Sequence, residues 1–237
     1  MSARLDIRKT YKLYVGGKFI RSESGRYLAA KGPDGAHLDN YCWASRKDFR
    51  DAVVAALLEL YTEGNLNPSA EEIAQRSGVS ARSLFRYFDD VDDLCQAAIT
   101  QQQDDVRHLY EVAFDASADL RTRAAALVAQ RAELFEAVES VATVSRLRAP
   151  FQLLVADKLT EGRKYLRAQL TRLFAAELGA VGPATAAARI AAADVLTSFE
   201  SWRLLRDDQR LTRAKASAAI VDALVTLLAT PEQDPSR

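Results

Sequence analysis

Apolar positions along this chain follow two rhythms, and the change between them falls near residue 45. Between residues 11 and 41, short β-favouring runs, Tyr11–Val15 and Lys18–Ile20, flank Gly16-Gly17. Two glycines can take positive φ without a steric penalty, so this dipeptide predicts a two-residue hairpin turn. Ser24-Gly25 and Pro33-Asp34-Gly35 predict further turns. A piece this small and polar cannot build a core of its own.

From Ser45 onward the period is helical. Ser45, with Asp48 three residues later, predicts a helix start, and Phe49, Val53, Ala56, Leu57 and Leu60 follow at helical spacing. Gly64 ends that helix. Ser69 and Glu72 form a capping-box pair opening a short helix that buries Ile73 and Ala74 and exposes Glu71 and Gln75. Gly78 stops it, Val79 anchors the turn, Ser80 caps again, and Ala81 to Phe88 form another short helix. Long helical stretches are predicted over roughly 91–115, 118–145, 150–179, 184–206 and 211–229, with a loose tail at 230–237. The pattern thus predicts an all-α fold with a β-hairpin appendage over 1–44, a three-helix unit over 45–90 and a larger bundle over 91–229.

Composition narrows the class. The chain has 237 residues, 49% of them hydrophobic, too apolar for disorder and long enough for one large or two small domains. Two cysteines, Cys42 and Cys95, cannot make a disulfide framework, which fits a reducing setting. No apolar run approaches the ~20 residues needed to span a bilayer. The amino terminus lacks the apolar stretch of a secretory signal. A soluble cytoplasmic protein without membrane contact is expected. The zero net charge hides a basic first segment, +6 over residues 1–50, before a block of −4 over 51–90. Such a leading segment suits an anionic partner, although an ordinary solvated surface fits charge alone equally well.

The paired short helices carry the candidate chemistry. Two helices joined by a tight glycine-containing turn can make a helix-turn-helix, whose second helix enters the major groove. The outward positions of that helix are Ala81, Arg82, Ser83, Phe85, Arg86 and Tyr87. Arginine can offer two donors to guanine, and Ser or Tyr hydroxyls can bond phosphates. Spacing alone leaves the alternative open, because similarly capped helix pairs occur in proteins that bind no DNA.

The stretch AALLELYTEGNLNPSAEEIAQRSGVSARSLFRYFDDVDDLCQAAI resembles the DNA-binding domain of the tetracycline-repressor (TetR) family. The resemblance rests on the first helix with Gly64, the turn residues Ile73, Ala74, Gly78, Val79 and Ser80, and the aromatic-rich SLFRYF end. It implies a dimeric transcriptional regulator, usually a repressor, that binds a double-stranded DNA operator and a small-molecule effector. By that likeness Ala81, Arg82, Ser83 and Arg86 face bases, Phe85 and Tyr87 lie against the sugar-phosphate backbone, and Ser69 opens a helix whose N-terminus points at a phosphate. The family often has a lysine just after the recognition helix; here Asp89, Asp90 and Val91 stand there. SFESWRLLRDDQRLTRAKASAAIVDALVTLL resembles the family's last two helices, which implies a dimer interface over Val195, Phe199, Trp202, Ile220, Leu224 and Leu228.

The first 56 residues resemble something else, the amino-terminal edge of an aldehyde dehydrogenase, through LYVGGKF, RSESGR and ASRKDFRDAV. The catalytic and dinucleotide-binding domains of that superfamily have no counterpart, so no enzymatic activity and no cofactor are expected. An inactive enzyme fragment and a helical protein-binding adaptor are the alternatives to a regulator. His37 and His108 lack partners at ligand spacing, so no metal is expected. The effector site is expected inside the bundle, among apolar residues including Leu109, Val112, Phe114, Leu127, Leu134, Val138, Val141, Phe151, Leu154, Leu170 and Phe174, with His108 and Tyr110 as orienting groups. That lining predicts a small, largely apolar effector.

Overall fold

A computed structural model describes residues 10–15, 18–111 and 117–229. The chain divides into two compact units, Met1–Gln101 and Gln102–Arg237. The division thus falls inside the helix that follows residue 90, whose buried Cys95 meets Tyr61 of the first unit.

Five short strands lead the first unit: β1 (Thr10–Tyr11), β2 (Leu13–Val15), β3 (Lys18–Ile20), β4 (Tyr27–Lys31) and β5 (His37–Cys42). β2 and β3 pair antiparallel with Val15 opposite Lys18, the register a two-residue turn requires; the turn itself, Gly16-Gly17, lies outside the described residues. The appendage is more than a hairpin. β5 is central in a second sheet, antiparallel to β4 and parallel to β1.

Three helices and most of a fourth complete that unit: α1 (Arg46–Thr62), α2 (Ala70–Ser77), α3 (Ala81–Tyr87) and α4 (Val91–Asp105), whose last turn lies in the second unit. Their core is Val53, Leu57, Tyr61, Ile73, Leu84, Phe88, Leu94 and Ala98, all buried. Cys95 is buried too, its sulfur 3.1 Å from the Tyr61 hydroxyl, which suits a small core residue.

The second unit is a bundle. A 3-10 turn (Arg107–Tyr110) follows α4, and 112–116, with the expected interior residues Val112 and Phe114, lie outside the described residues. Then come α5 (Leu120–Arg148), α6 (Leu153–Leu173), α7 (Ala175–Gly179), α8 (Pro183–Leu196), α9 (Phe199–Arg203) running into a π-helical turn (Leu204–Asp208), and α10 (Arg213–Leu228). The stretch expected as one helix over 184–206 breaks where Thr197 turns its hydroxyl to the Ala193 carbonyl and Ser198 caps α9 through the Ser201 amide. None of the helices among the described residues is long and apolar enough to cross a membrane.

The surface stripe expected on the last helices is largely interior. Phe199, Trp202, Ile220, Leu224 and Leu228 are buried within the one subunit, in a core with Phe135, Leu170 and Phe174. The reason is α5, which buries apolar residues on several sides and gives α10 a wall to pack against. Of the six expected interface residues, Val195 alone is exposed, at 66%.

Candidate functional site

Local chemistry fixes the α2–α3 pair. Ser69 and Glu72 close a full capping box: the Glu72 amide donates to Ser69 Oγ at 3.2 Å and the Ser69 amide to Glu72 Oε2 at 2.7 Å. Gly78 ends α2 at φ 74°, a left-handed position where a side chain is strained. The Val79 amide then bonds the Ala74 carbonyl at 3.0 Å, and Ser80 caps α3 by accepting from the Ser83 amide at 3.1 Å. Two short helices are thereby held at a tight turn with the first turn of α3 presented outward.

Burial of Leu84 orients α3. With that side chain in the core, Arg82, Phe85 and Arg86 are exposed, Phe85 by 51%, while Ala81, Ser83 and Tyr87 are half-buried. Tyr87 is a junction. Its carbonyl accepts from Arg50 Nη1 at 2.6 Å, its ring lies 4.3 Å from Phe49, and its hydroxyl accepts from Arg86 Nη2 at 3.0 Å. Arg86 thus folds back over the Tyr87 ring, with its guanidinium 4.7 Å from the centroid. The guanidinium of Arg46 approaches the same ring at 5.8 Å, so three arginines, Arg46, Arg50 and Arg86, gather around one tyrosine. Sequence reading missed Arg46 and Arg50; their signal was two arginines four apart on the first turns of α1, which share one helix face.

Ser69 makes the capping box expected of it. Its hydroxyl donates to Glu72 at 2.8 Å while accepting from the Glu72 amide, so it is committed to the capping box. Glu71 and Glu72 occupy the first turn of α2, and hydrogen bonds from Ser69 hold the Glu72 carboxyl below its usual range and keep it charged. The helix end expected to meet a phosphate therefore already carries anions of its own.

The appendage is tied to α1 at one carboxylate. Buried Asp48 accepts from the Ser22 hydroxyl, the Glu23 amide and the Ser45 amide, each at 2.7 Å, and closes the α1 capping box. Burial opposes its charge, but these donors outweigh it and hold its pKa at about 2.

In the bundle, the expected effector residues do not gather. His108 is exposed, Phe151 is 87% exposed at the α5–α6 corner together with Leu154, Tyr110 is half-buried, and Phe174 is a wholly buried core residue. A cleft of about 640 Å³ lies instead between the end of α5 and α9, lined by Thr143, Arg146, Leu147, Phe199, Arg203 and Leu204 among others. A second cleft, of about 340 Å³, reaches Phe135, Leu166, Thr197 and Ser198. Their shared wall is charged: Arg146 bonds Glu200 at 2.8 Å, Arg163 bonds it at 2.9 Å, and the Arg146 guanidinium sits 4.2 Å from the Phe199 ring. Burial resists the Glu200 charge, yet Arg146 holds its pKa down at about 2. The lining of both clefts thus mixes charged and apolar groups. Sequence reading also missed the buried polar pair Arg131 and Gln169; Arg131 stands four residues from both Leu127 and Phe135, a polar residue on an apolar stripe. Among the described residues, no cluster of His, Cys, Asp and Glu is arranged to hold a metal ion.

No protein-family model matches the sequence, and no curated protein does. Solved structures do resemble the fold. A TetR-family transcriptional regulator from Streptomyces coelicolor superposes with a TM-score of 0.60 at 20% identity, covering 76% of this chain and 80% of that one. A transcriptional regulator from Rhodococcus gives 0.59 at 20% identity, over 76% and 95%. The multidrug-binding protein EbrR, solved with ethidium, gives 0.52 at 20% identity, over 77% and 99%. The chain therefore has the fold of solved TetR-family regulators.

Proposed function

We propose that the chain is a TetR-type DNA-binding transcriptional regulator, acting as a repressor, in which α2, the Gly78 turn and α3 form the helix-turn-helix. The observation that carries this reading is α3 itself. One side is pinned into the core by Leu84 while Arg82, Phe85 and Arg86 stand outside, on a fold shared with TetR-family structures. Arg82, Arg86, Ala81 and Ser83 read bases; Phe85 and Tyr87 lie along the backbone; Arg46 and Arg50 reinforce the phosphate side. The α2 end acts through its backbone amides rather than the Ser69 hydroxyl. Residues 1–44 are a non-catalytic appendage whose sequence is related to the edge of an aldehyde dehydrogenase, and nothing in this reading calls for an enzyme or a cofactor.

The regulator works as a homodimer that is released by a small molecule bound in the second unit. EbrR holding ethidium supports a fold able to take such a ligand. With Phe199, Trp202, Ile220, Leu224 and Leu228 buried, the pairing surface is the outer side of α8 and α10, where Ala187, Ala188, Ala191, Val195 and Ala218 are exposed. An effector lowers DNA affinity only by binding better to a dimer geometry that no longer fits two major grooves.

Selection of duplexes from a random pool tests the reading. The chain should enrich a two-fold operator. Arg82→Ala and Arg86→Ala should relax preference at defined base pairs, each losing about 1–3 kcal/mol of discrimination. Unchanged preference in both variants would refute the assignment. Val195→Glu should give monomers with weakened operator binding in sedimentation and binding assays, whereas Trp202→Glu should unfold the bundle.

A further inference from the structure

The bundle holds a buried cation whose partners are all neutral. Arg131 on α5 is 3% exposed. Its Nη1 donates to Gln130 Oε1 at 3.0 Å and to Gln169 Oε1 at 2.8 Å, and its Nη2 donates to the Leu166 carbonyl at 3.0 Å. Nε, equally buried, has no acceptor. Buried charges are ordinarily matched by an opposite charge. The acid whose field reaches Arg131 is Asp194, which lies 3.8 Å from a different cation, Arg167.

Space and access coincide with this arginine. Arg131 lines a water-sized void of about 10 Å³ with Phe135, Thr197 and Ser198. Those three residues also line the cleft of about 340 Å³, as does Leu166, whose carbonyl Arg131 holds. The two glutamines carry the connection further. Gln130 Nε2 donates to the Leu109 carbonyl and Gln169 Nε2 to the Tyr110 carbonyl, both in the 3-10 turn that directly follows α4.

We propose that Arg131 anchors the carboxylate of a small organic acid that enters through this cleft, and that seating the acid loosens Gln130 and Gln169 from the turn after α4. The inference rests on the regulator reading above and names the chemical class of its effector. A guanidinium takes a carboxylate through two parallel charge-assisted bonds, stronger than those to a neutral amide oxygen. An acid held across Nη1 and Nη2 displaces the neutral acceptors now on those two nitrogens, Gln130, Gln169 and the Leu166 carbonyl. Gln130 and Gln169 lose their fixed orientation, and so does the turn they hold. Phe135 and Leu166 take the apolar body of the acid. Because α4 leads back to α1–α3, a shift of this turn is the differential change that an effector needs.

Thermal unfolding of the full chain with benzoate, phenylacetate and octanoate, each against its primary amide, tests the site without DNA. The acids should raise Tm saturably and the amides should not. Arg131→Lys keeps the charge but not the two-bond geometry and should raise the half-saturating acid concentration at least tenfold. Gln169→Glu supplies the carboxylate internally; it should fold with a higher Tm and lose the response to acids, which keeps the proposal testable if Arg131→Lys is unstable. Equal stabilisation by acid and amide, no stabilisation by any of the acids, or an unchanged response in Gln169→Glu would overturn it. Failure of the unliganded chain to select a duplex would instead strike the regulator reading and leave the acid site standing.

Discussion

Two neighbouring regions of the first unit, the strands over residues 10–43 and the helices over 46–99, are both rich in large apolar side chains, yet only the helices hide them. Tyr14, Phe19, Tyr27, Leu38 and Trp43 are all more than half exposed, whereas Leu57, Ile73, Leu84 and Leu94 are fully buried. A helix has a single apolar stripe, and three or four short helices suffice to cover one another's. Small twisted sheets need an opposing layer, and the described residues supply none to β1–β5. Hydrogen bonds to the α1 cap tie the strand segment to the helices. What separates the two regions is the presence of a partner layer rather than their composition.

The largest effect should come from damaging the region that has a core. Leu84→Ala removes a fully buried side chain from the helix that presents Arg82 and Arg86, and should cost about 2–5 kcal/mol through lost burial and the cavity left behind. Trp43→Ala, on the strand side, should leave the thermal midpoint of the first unit where it is. Similar losses for the two, measured by calorimetry, would mean that the sheet has a core after all.

A smaller effect should follow from cutting the tie between the regions. Asp48→Asn keeps the shape but loses the charged acceptor for Ser22, Glu23 and Ser45, and should cost about 1–3 kcal/mol. Proteolysis should then cut first between residues 23 and 44. The same tie responds to acid. The folded pKa of Asp48, about 2, lies below its ordinary 3.8, so its contribution is complete above that ordinary value and is lost as pH falls towards 2. Proteolytic protection of the strands should fade over that window in the wild type and be flat across it in Asp48→Asn.

What could be read from the sequence divides along the same line. The caps at Ser45, Ser69 and Ser80 and the Gly78 turn were legible because each is settled within three or four residues. The direction in which an apolar stripe faces was not. Phe199 and Trp202 looked like an interface because nothing in their own helix reveals that α5 offers a wall. The breaks at Phe174 and at Thr197-Ser198 were hidden because apolar and small helix-forming residues continue through both. Arg131 and Gln169 stand in apolar surroundings, and their pairing joins residues 38 apart, beyond any local pattern.

The smallest expected effect asks whether the coreless strands act on DNA at all. Lys12, Arg21, Arg26 and Lys31 are exposed there, against the acids Glu23, Asp34 and Asp39, so the described strands carry an excess of cations beside a headpiece with acidic flanks. If these cations reach phosphates, binding releases counterions from them, and affinity falls more steeply with salt. Deleting residues 1–40 retains the Ser45–Asp48 cap and leaves α1–α3 their core. Operator affinity at low salt should therefore drop modestly, while the slope of log affinity against log salt flattens by about one unit for each phosphate contact removed. Base preference should be untouched, because Arg82 and Arg86, the residues proposed to read bases, remain. An unchanged slope across 50–200 mM salt, roughly the range in which such contacts register, would make the strands a passenger on the proposed regulator. A changed base preference would mean that they reach into a groove and read sequence themselves.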